Sequence, residues 1–336
     1  MTMLPTRTIG PFTVSAIGLG CMNLSHAYDV APSAEDGARL LNHALDSGVT
    51  LLDTAALYGS GNNERLLAQA VMHRRGEFTL ASKCVLDLID GQRVLDGRPE
   101  TISASLDRSL QRLGTDHIDL YYMHRLDRKV PIEDSMGALV RAKEAGKIGA
   151  IGLSEMGAAS IRRAHAVHPV AAVQNEYSPT SRNVEIAVMD ACRELGIALV
   201  AFSPLARGLL AGSVRSDDYR DGDIRKAMPR FNGANLAHNL NAVDRFVALA
   251  GETGCTPAQL VLAWVLSRGP NVVPIPGTRS IAHLDDDLGA LKVTITPELT
   301  AAIDAIFAPG AIRGARYPAL QQTQIDTETF PDEELA

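Results

Sequence analysis

Four titratable side chains stand at or just beyond the ends of short apolar runs. Asp53 follows Val49–Leu52, Tyr58 comes five residues later in DTAALYG, Lys83 ends FTLASK and His124 ends DLYYMH. Tyrosine is a weak acid, with an ordinary pKa of about 10. A nearby lysine cation favours the tyrosinate and lowers that pKa, which makes the phenol a usable proton donor or acceptor near neutral pH. The lysine must itself stay charged in a partly buried site. An aspartate beside it serves that purpose, because an unpaired buried ammonium tends to lose its proton. An imidazole can hydrogen-bond a carbonyl oxygen and orient it. None of the four is a nucleophile with a matched base. The set suits proton transfer to an oxygen while something else delivers electrons.

Taken singly, each residue also has a packing role: Asp53 can cap a turn, Tyr58 can fill a loop and His124 can be a satisfied core histidine. Their joint placement depends on the elements that carry them. The chain alternates short β-type runs with runs at helical spacing. The expected strands are Ala16–Gly20, Val49–Leu52, Phe78–Ser82, Ile118–Met123, Ile148–Leu153, Val170–Gln174, Ile197–Phe202 and Asn271–Ile275. The helices between them include Ser33–Asp46, with Ser33 as N-cap, and one opened by Pro99 and closed by Gly114.

Runs such as LLD, LYYM and ALVAF are apolar on both faces, as in a parallel sheet buried on both sides. Eight strand–helix units in about 270 residues predict an α/β fold, a closed (β/α)8 TIM barrel with catalytic residues at the C-terminal ends of its strands. A doubly wound sheet would want a Gly-rich fingerprint after an early strand; Gly18-Leu19-Gly20 lacks the third glycine. Outside the repeat lie an expected N-terminal β-hairpin, Thr6–Val14, that could cap one mouth, a long loop Arg207–Asn235, and extra helices at His238–Ala250 and Pro257–Ser267. No linker divides the chain, so residues 1–336 are expected to form a single barrel domain.

Composition narrows the function. Of 336 residues, 46% are hydrophobic, enough for a sizeable core, and the net charge of -7 disfavours nucleic acid and anionic membrane as partners. The four cysteines show no C-x-x-C pairing, so neither a zinc site nor a disulfide framework is expected. The opening Met1-Thr2-Met3-Leu4-Pro5 lacks a leader pattern and no apolar run approaches the roughly 20 residues that span a bilayer. A cytoplasmic protein is expected.

Asp-x-x-x-x-Tyr-Gly, then a strand-end Lys, then a strand-end His, resembles the aldo-keto reductases. The resemblance runs over nearly the whole chain, through Gly18-Leu19-Gly20-Cys21-Met22, Ile151-Gly152-Leu153-Ser154, Val173-Gln174-Asn175-Glu176-Tyr177, Ser203-Pro204-Leu205-Ala206-Arg207-Gly208 and Ile275-Pro276-Gly277-Thr278-Arg279. Pro229-Arg230-Phe231 is similar to a block of the long-loop bacterial and plant branch.

The resemblance implies NADPH/NADP+ bound in an extended pose and a small-molecule carbonyl substrate. Tyr58 would be the general acid, Lys83 would lower its pKa, Asp53 would pair with Lys83, and His124 would orient the carbonyl. Ser154 and Gln174 match positions that hold the nicotinamide carboxamide. Phe202 matches an aromatic that stacks on the ring. Ser203, Leu205, Arg207 and Asp287 fall along the cofactor, although Asp286-Asp287 stands where Glu-Asn is usual near the adenine. Gly277, Thr278 and Arg279 lie between the last strand and its helix. Backbone N–H groups there, with the positive end of the helix dipole, form an anion site. Arg279 can hold a 2′-phosphate bidentately, or be a solvated loop arginine. Met22, Tyr28, Glu155 and the segment around Arg316-Tyr317 are candidate pocket wall.

The alternative within the family is a cofactor-binding regulatory subunit related to channel β-subunits, with little turnover. A metal hydrolase would want a His-x-His pair near the first strand, where the sequence has Gly18 to Met22. A Schiff-base aldolase would use Lys83 as nucleophile, but Asp53 beside it would keep the amine protonated. No metal is expected.

Overall fold

The computed structural model describes residues 4–25, 27–28, 30–89 and 92–336; residues 1–3, read above for a leader pattern, lie outside the described part. Two strands open the chain, β1 (Thr6–Ile9) and β2 (Phe12–Ser15), paired antiparallel around Gly10-Pro11. The repeat follows as β3 (Leu19–Gly20), α1 (Ala34–Asp46), β4 (Leu51–Asp53), α2 (Asn62–Ala70) and β5 (Thr79–Cys84). A second hairpin, β6 (Leu86–Ile89) with β7 (Gln92–Leu95), precedes α3 (Pro99–Leu113). The repeat resumes with β8 (Ile118–Met123), α4 (Ile132–Glu144), β9 (Ile148–Ser154), α5 (Ala158–Val167), β10 (Ala172–Glu176), α6 (Val188–Leu195) and β11 (Ala198–Phe202). Then come α7 (Gly233–Glu252), α8 (Pro257–Ser267), β12 (Val272–Pro274), α9 (Ile281–Gly289), α10 (Pro297–Ile306) and α11 (Ala319–Gln322).

Local chemistry accounts for several boundaries. The Ser33 hydroxyl accepts from Asp36 N–H at 3.1 Å and caps α1. Pro99 starts α3, and Gly114 ends it in the left-handed region at φ 66°, where a Cβ would be strained. Thr256 and Gln259 form a capping box on α8.

Eight parallel strands form one curled sheet in the order β3-β4-β5-β8-β9-β10-β11-β12. Its two edges meet. Gly18 N–H donates to Pro274 O at 3.0 Å and Gly20 N–H to Pro276 O at 2.9 Å, which closes the (β/α)8 barrel. The seam needs glycine, because a Cβ on Gly20 would stand 2.9 Å from Ile275 O. Small residues such as Ala81, Ala150, Ala172 and Ala198 line the interior with Leu51, Leu120 and Val200, and Ile9 and Val14 of the first hairpin pack into that same cluster. The hairpin therefore plugs the N-terminal mouth, and the opposite mouth is left for chemistry.

Strand and helix ends move by a few residues from expectation. Two departures are larger. The expected long loop contains three short 3-10 turns, Ala206–Gly208, Ile224–Ala227 and Pro229–Phe231, and α7 begins at Gly233 rather than His238. The β6–β7 hairpin, α10 and α11 have no counterpart among the elements expected from the sequence.

Candidate active site

The C-terminal ends of the strands surround a cavity of about 750 Å3. Its deep end is built from β4 and β5. Asp53 is paired in register with Ala81, so Lys83, two residues on, points to the same inner side just beyond it. Lys83 is fully buried and forms an ion pair with Asp53 Oδ1. Its ammonium also donates to Thr54 O at 2.8 Å and to the Tyr58 hydroxyl at 3.3 Å. The other Asp53 oxygen accepts from Gln174 Nε2 at 2.7 Å. Beneath the ammonium lies the Tyr122 ring, 5.8 Å from Nζ to centroid. Gly152 makes room for that ring, since a Cβ there would fall 2.3 Å from it. The His124 ring meets the Tyr58 ring edge to face, with centroids 6.0 Å apart.

Electrostatics divide the pair cleanly. Burial by itself would pull Lys83 down, but Asp53 and then Tyr58 more than offset that, and its pKa is raised. For Tyr58, burial pushes the pKa up, Lys83 pulls it down and Asp53 raises it again; the net direction is up. The expectation from the residues alone was a lowered phenol. In the protein, desolvation of the phenolate outweighs the lysine, so Tyr58 is a protonated acid at neutral pH.

The other expected residues fall into three groups. Asp53, Tyr58, His124, Ser154, Gln174, Phe202, Ser203, Leu205, Arg207, Gly277, Thr278, Arg279, Asp287, Met22 and Tyr28 all line this one cavity. Lys83 stands behind it, in contact with Asp53 and the Tyr58 hydroxyl. Glu155 does not line it. It is fully buried at φ 51°, its carboxylate accepts from Glu176 N–H at 2.8 Å, and Arg316 stands 3.6 Å away. Tyr317 lines the cavity, whereas Arg316 lies inside an ionic cluster with Glu155, Glu176 and Glu333.

At the far end, Ser280 caps α9 by accepting from His283 N–H, and Thr278 Oγ1 accepts from Ser280 N–H at 3.0 Å. Arg279 lies exposed beside them and donates to Tyr28 O at 3.1 Å. Asp287 is buried, and burial followed by the neighbouring Asp286 lifts its carboxyl to about 8. The guanidinium of Arg207 is held by Glu176 at 2.8 Å and Ser203 at 2.7 Å. The long loop crosses near this end: Ile224 N–H donates to Ala27 O at 2.9 Å, and Arg225 packs over the Tyr28 ring. Among the described residues no cluster of His, Cys, Asp and Glu is arranged to hold a metal ion, and no helix is long and apolar enough to cross a membrane.

The model of the Aldo/keto reductase family matches residues 16–308. The chain belongs to this family. It is 44% identical to the aldo-keto reductase yakc [NADP(+)] of Schizosaccharomyces pombe over 98% of both chains. Among solved structures it is similar to a glycerol dehydrogenase from Gluconobacter oxydans, with TM-score 0.83, 27% identity and 98% of each chain covered. It is also similar to an aldo/keto reductase from Klebsiella pneumoniae in complex with NADP and acetate, with TM-score 0.71, 26% identity, and 94% of this chain and 99% of that one covered.

Within this family fold, three cavity-lining cations are absent from the residues expected above, Arg93, Arg125 and Arg225. Arg125 was in plain view beside His124. Arg93 sits on the second hairpin, which the reading lacked.

Proposed function

We propose that this aldo/keto reductase uses NADPH to reduce aldehydes or ketones to alcohols, with Tyr58 as the general acid. The observation that carries the proposal is the Lys83 ammonium joined to both Asp53 and the Tyr58 hydroxyl at the deep end of the cavity. Ser154, Gln174 and Phe202 would hold a reduced nicotinamide, which when bound would supply hydride for the carbonyl carbon. Tyr58 gives its proton to the carbonyl oxygen as negative charge develops there. Lys83 donates to the phenol oxygen, which directs the phenol proton away from the ammonium, and it stabilises the phenolate left after transfer. Asp53 keeps Lys83 charged. His124, against the Tyr58 ring, orients the carbonyl oxygen.

The cavity suits the cofactor along its length. Ser154 and Gln174 present side-chain polar atoms for the carboxamide, and Phe202 offers an aromatic face. Ser203, Leu205 and Arg207 line the middle. The capped start of α9, with Gly277 and Thr278, presents N–H groups and the positive dipole end to a phosphate. Asp287, its carboxyl lifted to about 8 by burial and by Asp286, lines the adenine end. The relatives named for NADP(+) and solved with NADP support this choice of cofactor. An intact Asp53–Lys83–Tyr58 set favours an enzyme over a regulatory subunit.

The test is turnover. Purified protein with NADPH and a nitrobenzaldehyde is expected to consume the reduced nicotinamide, read from its near-ultraviolet absorbance. Cofactor binding without turnover of any carbonyl compound would favour the regulatory role. Arg279→Glu tests the phosphate end. A charge-assisted hydrogen bond is worth about 1.5–3 kcal/mol, so reversal of this charge is expected to weaken NADPH at least roughly tenfold. NADH binding is expected to change little. Equal losses for both, measured by fluorescence titration, would mean that Arg279 does not read the 2′-phosphate.

A further inference from the structure

Two largely buried guanidiniums sit on carboxylates, Arg207 on Glu176 and Arg112 on Glu64, and Arg230 is held instead by the carbonyls of Thr180 and Gly314 and the Ser181 hydroxyl. Two arginines at the reacting end of the cavity are placed differently. Arg125 is 6% exposed and follows His124 beyond the end of β8. One of its terminal nitrogens donates to His124 O at 2.6 Å and to Ser154 Oγ at 3.3 Å, while its buried Nε has no hydrogen-bond partner. Arg93 reaches the same cavity from β7, and its Nε donates to Gln324 Oε1 at 3.0 Å. Among the described residues, neither has a carboxylate within ion-pair distance. Burial and then the Arg125 cation pull the pKa of Arg93 down to about 10, as expected for two guanidiniums sharing a pocket without a counter-ion. In a chain of net charge -7 this is a local reversal of sign.

Leaving a buried N–H unmade is costly. An anion accepting from Arg125 would satisfy that Nε and would meet a second cation in Arg93, and both arginines line the cavity with Tyr58 and His124. Resting on the reductase reading above, we propose that Arg93 and Arg125 select carbonyl substrates that carry a carboxylate, held on this wall while the carbonyl faces Tyr58 and His124. Ser154, at the end of β9, accepts from Arg125 at 3.3 Å and ties it to the wall beside His124, so the anion and the carbonyl would lie on one small molecule separated by a ring or a short chain.

The test compares two aldehydes of nearly the same shape, 4-carboxybenzaldehyde and methyl 4-formylbenzoate, which differ in charge. The unmodified enzyme is expected to show kcat/KM for the acid roughly tenfold or more above that for the ester, the worth of one charge-assisted hydrogen bond. The ratio is expected to shrink toward one in Arg93→Gln and in Arg125→Gln, chiefly through KM, to persist in part in Arg93→Lys, and to fall with added salt. Arg93 is only half-buried on a hairpin, so its variant keeps the test usable if Arg125→Gln does not fold. Turnover of the ester at least equal to that of the acid would overturn this proposal alone, as would an acid preference that neither variant changes. Turnover of neither aldehyde would overturn the reductase reading beneath it.

Discussion

Tyr58→Phe is expected to lower kcat for aldehyde reduction by about a thousandfold, within the range typical of a lost general acid, while NADPH affinity stays within about threefold. The substitution removes one oxygen and keeps the ring that meets His124 edge to face. Lys83 loses an acceptor at 3.3 Å but keeps Asp53 and the Thr54 carbonyl at 2.8 Å. The buried cation therefore remains satisfied, and the fold is expected to hold. Single-turnover rates with saturating NADPH separate the outcomes. Lost cofactor binding would mean that Tyr58 serves the cofactor rather than the proton; retained turnover would remove it from the chemistry.

The sign of the pH dependence follows from the same geometry. Burial holds the Tyr58 phenol above its ordinary value despite Lys83. Reduction needs the protonated phenol, so kcat for reduction is expected to stay level from neutral into alkaline pH and to fall only as the phenol ionises, above about 10. Alcohol oxidation needs the phenolate and is expected to rise over that same limb. A reduction rate that falls between neutrality and pH of about 8 would point to a different acid.

The barrel was legible because its signals are local. Continuous apolar runs such as Leu120–Met123 mark strands buried on both faces, and Pro99 and Gly114 punctuate α3 through backbone rules that need no tertiary context. The four chemical residues were legible because strand ends in a barrel converge on one mouth. The β6–β7 hairpin is also signalled, by Asp90-Gly91 between two four-residue runs, but a strict strand–helix alternation leaves it no place, and Arg93 goes with it.

Other features depend on partners far along the chain. Glu155 reads as pocket wall because it follows Ser154, yet Arg316 and the Thr327 hydroxyl draw its carboxylate inward, away from the cavity. The phenol shift is of the same kind. A lysine near a tyrosine is visible in the sequence, but the depth of burial that outweighs it is a property of the packed barrel. The closing seam is intermediate: glycines at 18, 20 and 277 are visible, whereas their meeting is not.

Lys83→Met is expected to lower both activity and stability, and a second substitution separates the two. Methionine fills the space of the lysine stem without its charge, leaving the Asp53 carboxylate buried with Gln174 Nε2 at 2.7 Å as its remaining side-chain donor. Removing one partner of a buried ion pair typically costs about 3–5 kcal/mol, because the other charge is left uncompensated. The urea midpoint of the cofactor-free protein is expected to fall accordingly, and reductase turnover by about a hundredfold or more, since the phenolate loses its cation. Adding Asp53→Asn removes the stranded charge, and the amide can still accept from Gln174. The double variant is expected to regain much of the lost stability and none of the lost turnover. Recovery of turnover with stability would make the ion pair purely structural, with Tyr58 acting unaided. Recovery of neither would place the damage in the methionine's packing against Tyr122 rather than in the charge. Stability restored without chemistry is the pattern that assigns Lys83 to the proton transfer itself.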